Sequence, residues 1–255
     1  MKRRQLKRIG GVLAVIAFWL ILWTLIARSL NKELLLPYPW TVLKKLGELC
    51  LTAAFWKNVV LTLLRILAGL VLAIVVGTLL AILTSFSRIS DRLFYPLITV
   101  IRATPVASFI ILVLIWLGSG KLPVFICFLM VLPIVWAAVS DGIRALDKNL
   151  HQVCRVYDFS LWKRFRLFYV PSILPYFLSA CKTSVGMAWK AGVAAEVLAV
   201  TQNSIGKELY NAKLYLETDA LFAWTAIVIV LSLAIEKMTS HLLEKAGKRR
   251  SHAED

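Results

Sequence analysis

The fold class this sequence predicts is all-α: a polytopic membrane protein with about six transmembrane helices. Three observations predict it. Hydrophobic residues make up 60% of the 255 positions, and the mean hydropathy of +0.77 exceeds the usual globular mix. The apolar residues gather into runs close to the ~20 residues needed to cross ~30 Å of hydrocarbon at ~1.5 Å per residue. The 30 Lys and Arg residues, set against 14 acidic ones, fall mostly between those runs, as topological signals do.

The spans follow in order. MKRRQLKR precedes an uncharged run at 9–27. Its 19 residues exceed the ~7–15 of a signal core, although Ala27 and Ser29 have small-x-small spacing around Arg28. It reads as an uncleaved first span. The second span is expected at 59–86, and the third at 93–117, interrupted by Arg102 and Pro105. GSGKLP then forms a short turn before a fourth span at 124–139; a fifth follows at 173–197 and a sixth at 220–238. In the first outside loop, Val42, Leu43, Leu46 and Leu49 recur at roughly helical spacing with lysines between them, predicting a short amphipathic helix on the outer interface. The polar second outside loop, 198–219, reads either as a contact for an external partner or as a solvated connector.

With the amino terminus inside, the cytoplasmic segments hold 18 Lys and Arg residues and the outside loops 8; Arg65, Arg102, Lys182 and Lys190 lie within or near spans. Positive charge near span ends favours the cytoplasm, so both termini are expected inside the cell membrane. The expected organisation is a first helix and external interfacial segment at 1–57, a permease core at 58–238 with a cytoplasmic loop at about 141–170, and a cytoplasmic tail at 239–255.

The formal charge of +16 suits this topology better than nucleic acid, since no recognition motif accompanies it. Cys50, Cys127, Cys154 and Cys181 form no CxxC pair and no ligand cluster with His151, His241 or His252, so they read as small apolar fillers. GSGK at 118–121 has the outline of a phosphate loop, but Ile115 and Leu122 stand where Gly and Ser or Thr are required. HExxH and GxSxG are absent, which argues against a membrane protease or hydrolase. No catalytic residue, cofactor site or metal site is expected.

The fourth-to-fifth connection carries the densest signal. Between 160 and 177, SLWKRFRLFYVPSILPYF crowds three cations, six aromatics and two prolines. Leu150, Val153, Tyr157, Leu161, Phe165 and Phe168 recur at steps of three and four, giving an apolar stripe along a helix or helix pair. DFS suggests a corner, with Ser160 as N-cap of a helix starting at Leu161. Pro171 is expected to break that helix before the fifth span. The stripe buries itself either on an anionic bilayer surface or, as the prolines' fixed geometry favours, in a groove of a cytoplasmic protein.

At these residues the sequence resembles the inner-membrane permeases of ATP-binding-cassette importers, in the nitrate/sulfonate/taurine-type branch. Gln152, Val153 and Cys154 fall where that family's loop reads EAA, Asp158 falls where Gly is usual, and Pro171 and Pro175 match its closing prolines. TLLRILAGLVLAIVVGTLLAIL, RATPVASFIILVLIWLGSG and GMAWKAGVAAEVLA resemble its second, third and fifth spans, so the resemblance covers most of 58–238. It implies a MetI-like permease architecture. It also implies a coupling helix formed by this loop, with Gln152, Val153, Cys154, Asp158, Phe159, Ser160, Leu161, Trp162, Phe165, Pro171 and Pro175 seating on a separate ATPase subunit that binds the ATP. Implied further are a second permease copy, as a homodimer, and an external solute-binding protein that largely sets specificity. The branch's solutes are nitrate, sulfonates, taurine and pyrimidine-type thiamine precursors.

Charges inside spans are costly and therefore candidates for function. Lys182 and Lys190, eight apart, share one side of the fifth helix. Glu196 is expected to seek a lysine on a neighbouring helix, since six residues from Lys190 is poor spacing for a pair on one helix. For Arg65, Arg102, Lys182, Lys190 and Glu196, structural pairing and lining of a pathway both stay open. Gly69, Gly77, Gly186 and Gly192 suit close helix packing. Two other functions compete with the importer. An ATP-independent channel or secondary carrier would favour internal repeats, of which none is convincing; a scaffold holding lipid or partners would have little use for intramembrane charge.

Overall fold

A computed structural model describes residues 2–30, 32–146 and 159–251, apart from the side chains of 2–10, 12, 13, 161, 244 and 246–251. The described residues form helices and no strand: α1 (Lys2–Leu30), α2 (Pro39–Cys50), α3 (Ala53–Phe86), α4 (Arg88–Ala103), α5 (Val106–Arg144), α6 (Leu161–Arg164), a π-helical turn (Phe165–Tyr169), α7 (Val170–Ala199), α8 (Ile205–Leu214) and α9 (Thr218–Ser251). Long apolar sequences dictate this choice, because in lipid a helix satisfies every backbone group within its own segment. Three of the helices are long and apolar enough to span, at Ala53–Phe86, Val106–Arg144 and Thr218–Leu243, and a shorter apolar stretch covers Ala14–Leu30. In α7, Lys182, Lys190 and Glu196 interrupt the apolar run.

The core is built by α3, α5 and α7. Val59, Ile66, Ala73, Val131, Val135, Ala188 and Trp189 share one buried cluster, and small residues set its spacing. A Cβ on Gly69 would lie 2.6 Å from Cys127 Cβ and against the Val124 backbone, and one on Gly192 would lie 2.5 Å from Ile66 Cγ1. Those glycines pack helices closely, as their types predict. Cys127 is buried at this crossing and its thiol donates to Ala188 O at 3.3 Å.

The expected third span is divided. Thr104 and Pro105 are extended, with ψ of 128° each, because the residue before a proline is pushed out of the α region and Pro105 has no N–H to continue the helix. Thus α4 is a separate helix, N-capped by Ser87 Oγ at 3.3 Å from Ser90 N. The turn expected from GSGKLP shrinks to a single residue: Gly118, at φ 65° and ψ 169°, reverses α5 between arms 106–117 and 119–144. Ile110 and Val113 pack with Leu122 and Ile126 across this hairpin, which a straight helix rising ~1.5 Å per residue would forbid.

The amphipathic helix expected in the first outside loop is α2, whose Val42 is buried while Leu43 is exposed. Lys45 reaches Asp219 of α9 at 3.9 Å. The segment expected as the second outside loop is neither an extended solvated connector nor wholly exposed: it contains α8, N-capped by Ser204 Oγ at 3.0 Å from Lys207 N, with Ile205, Gly206 and Ala212 buried. Trp23 of α1 donates to Pro37 O at 3.1 Å and lies 5.8 Å from Phe222.

Candidate translocation face and coupling segment

Of the coupling-segment residues expected from the sequence, Gln152, Val153, Cys154 and Asp158 lie outside the described residues. From Phe159 onward the local fold follows from Ser160. Its Oγ accepts from Lys163 N at 3.4 Å and its carbonyl from Arg164 N at 3.0 Å, so it caps a helix from Leu161, as expected. The expected break at Pro171 is absent: helical backbone runs from Leu161 through the π turn into α7. A π turn inserts one residue into the ladder, and it sits immediately before the segment where Pro171 withholds its N–H. Pro171 and Pro175 therefore sit within helix, at its second residue and inside it.

The stripe also divides by burial. Phe168 is 2% exposed, whereas Trp162 and Phe165 are exposed and stacked at 6.1 Å with 25° between their rings. Two exposed aromatic faces held together, beside Lys163 and Arg166, form an apolar surface with basic flanks. Leu167 adds to it at 61% exposure.

The intramembrane charges sort into two groups. Arg65 and Glu196 meet each other. Arg65 Nη1 donates to Glu196 Oε1 at 3.3 Å, and Glu196, fully buried, accepts from Thr62 Oγ1 at 2.8 Å and from Gly206 N at 3.4 Å. The same guanidinium donates to the carbonyls of Gln202 at 3.0 Å and Asn203 at 3.1 Å. Its partner is thus an arginine on α3 rather than the expected lysine, and the cluster fastens the α7–α8 turn to α3. That turn needs fastening, since Val200 and Asn203 adopt φ of 49° and 50°, which β-branched valine disfavours most.

Arg102, Lys182 and Lys190 form no ion pair with a described residue and are exposed. Lys182 and Lys190 lie on the same side of α7, as their spacing predicts, and line a cavity of about 410 Å³ with Thr183, Gly186, Glu236 and Ser240. Arg102 lines another, of about 520 Å³, with Thr104, Pro133, Asp141 and Met187. Between these two cavities α7 exposes Ser179, Thr183, Met187, Lys190, Ala194 and Leu198, a continuous helical stripe. Sequence reasoning singled out the lysines and missed Glu236; an acidic residue inside the expected sixth span was signal enough.

A protein-family model described as "Binding-protein-dependent transport system inner membrane component" matches residues 44–245. The chain is 24% identical over 242 residues to the taurine transport system permease protein TauC of Escherichia coli (strain K12), covering 92% of this chain and 86% of that one. It is 25% identical over 241 residues to SsuC of Bacillus subtilis (strain 168), named as an aliphatic sulfonates transport permease, with 94% and 86% covered. Among solved structures, a bacterial ABC transporter involved in the import of the acidic polysaccharide alginate superposes with a TM-score of 0.62 at 15% identity, over 95% of this chain and 96% of that one; that likeness is one of fold. Long apolar helices packed through small residues, joined to a family match over most of the chain, lead to one assignment: this chain belongs to the binding-protein-dependent transport system inner membrane component family and is a transmembrane permease subunit of such an importer.

Proposed function

We propose that this chain forms half of the passage for a small organic solute of the taurine and aliphatic sulfonate kind, with a second copy closing the other half. The observation that carries the reading is the exposed α7 stripe, which includes Lys190 and has Lys182 beside it in the same cavity. Two lysines with no ion pair among the described residues are costly against lipid and stable beside water or a facing polar surface. Alternating access is rocking of packed helices about this face. A separate ATPase subunit supplies the energy and binds the ATP, and an external binding protein delivers the solute. The ATPase docks on the 150–168 segment, where Trp162 and Phe165 offer the exposed anchors of a helix-in-groove contact. Both termini are cytoplasmic in this reading, which the charge asymmetry supports.

The test is purification of the tagged chain from its native membranes, with subunit counting and reconstitution. The expected result is an ATPase subunit at about one per permease and uptake that requires ATP. A chain that arrives alone and moves solute without ATP refutes the reading in favour of a carrier or channel.

A further inference from the structure

We propose that Lys182, Lys190 and Glu236 form a recognition site between the fifth and sixth spans for the acid group, sulfonate or carboxylate, of a small solute, with Glu236 taking a neighbouring ammonium where the solute has one. The proposal rests on the reading of α7 as pathway lining and adds to it a ligand chemistry and a residue that the sequence did not single out.

Depth comes first. The 30 residues of α7 extend ~45 Å, and Gly186 stands near their middle with Lys182 and Lys190 one turn to either side. Both lysines and Glu236 fall within the expected fifth and sixth spans, 173–197 and 220–238, where a charge without a polar partner is costly. Glu236 approaches from α9 and rests on Gly186: a Cβ at that position would lie 2.7 Å from Glu236 Oε1. Absence of a side chain at 186 is what admits the carboxylate to a position between the two lysines.

The three charges are nevertheless not consumed by one another. Neither lysine forms an ion pair with a described residue, and among the described residues Glu236 Oε1 accepts one long bond, 3.4 Å, from Ser232 Oγ. Positive, negative and positive groups stand in a row along one groove with a net charge of one cation. Direct collapse into a salt bridge would hide the charges; this arrangement leaves them available to a ligand. The cavity of about 410 Å³ brings the hydroxyls of Thr183 and Ser240 to the same place, and through Lys190 and Glu236 it adjoins a second cavity of about 570 Å³ walled by Trp189, Val193 and Val228. These volumes lie in the ~300–1,000 Å³ range of small-molecule sites. Polar groups at one end and apolar wall at the other suit an acid head on a short carbon chain.

The test is equilibrium binding of radiolabelled taurine and ethanesulfonate to the permease complex purified from native membranes, the second probe lacking the ammonium. Lys182→Met and Lys190→Met each weaken both probes tenfold or more, and Lys→Arg at either position restores binding. Glu236→Gln weakens taurine at least fivefold and tightens ethanesulfonate, because removing a negative charge removes repulsion of the acid group; Gly186→Ala, which displaces the carboxylate, does the same. Absence of binding of either probe to the native complex overturns the proposal, as does binding that the lysine variants leave intact while their melting temperatures match the parent. ATPase co-purification is scored on the same preparation: an active complex that binds neither probe sinks the recognition site and leaves the importer reading standing, whereas binding without an ATPase subunit does the reverse.

Discussion

Arg65 of α3 and Glu196 of α7 meet at 3.3 Å, with the glutamate fully buried and the arginine side chain 19% exposed. The pair is not isolated, because the same guanidinium holds the Gln202 and Asn203 carbonyls. One arginine therefore joins a helix crossing to the turn above it. Removing it leaves a buried carboxylate with Thr62 and Gly206 as its donors among the described residues. Arg65→Met is expected to cost about 3–5 kcal/mol, whereas Glu196→Gln, which keeps an acceptor for Thr62 and removes the charge, costs less. Thermal unfolding of the two variants in detergent checks the order; equal losses would show that the charge pair is not what matters.

Glycine crossings separate backbone from side-chain obstruction. At Gly192 the added Cβ meets Ile66 Cγ1 and Cys127 Sγ, the latter at 2.8 Å, and both belong to side chains that substitution can shorten. At Gly69 it also meets the Val124 carbonyl, which no substitution removes. Each Gly→Ala change is expected to destabilise by about 1–3 kcal/mol through overpacking. Ile66→Ala should couple favourably to Gly192→Ala in a double-mutant cycle, while Cys127→Ala should leave Gly69→Ala unrelieved. Melting temperatures of the two cycles decide it.

Much of this was legible in the sequence, because a lipid solvent makes hydropathy and span length almost sufficient to place helices. The helices covering 59–86, 173–197 and 220–238, and the short helix in the first loop, follow from composition and period, although that period grouped Val42 with Leu43 and only Val42 is buried. Pro105 was visible as an interruption, but its consequence, a helix lying apart from the span, depends on how α4 packs: Ile98 is buried and Tyr95 lies 6.1 Å from Trp136. Pro171 misled for the opposite reason, since a π turn is a local adjustment that no residue type announces. At the site, the spacing of Lys182 and Lys190 gave their common side, yet Glu236 belongs to the site only through tertiary contact with Gly186 across 50 positions of chain. Glu196 was paired with the wrong kind of partner because opposite-charge reasoning cannot choose among cations on different helices.

Gly118 and Gly120 stand two residues apart and make opposite demands. Gly118 occupies φ 65° and ψ 169°, a region essentially reserved for glycine, so Gly118→Ala should cost about 1–3 kcal/mol although nothing lies within 4 Å of the new methyl. Gly120 has ordinary helical backbone and equally open space. There alanine should stabilise by about 0.5–1 kcal/mol. Opposite shifts in melting temperature are expected; a loss at both positions would mean that the hairpin needs flexibility rather than one special backbone conformation.

The aromatic anchors make the last contrast, between surface and core of a single short segment. Trp162 is 68% and Phe165 50% exposed, against 2% for Phe168 three residues on. Changing the first two to Ala removes little buried area and is expected to alter stability by no more than about 0.5 kcal/mol, while Phe168→Ala costs about 3–5 kcal/mol through the cavity it leaves. If the exposed pair is the docking surface for the ATPase, Trp162→Ala with Phe165→Ala abolishes co-purification of that subunit and ATP-driven uptake from a permease that still melts at the parental temperature. Phe168→Ala should instead lose the partner and the fold together. A double variant that keeps its ATPase at full stoichiometry would place the docking surface elsewhere on the cytoplasmic side.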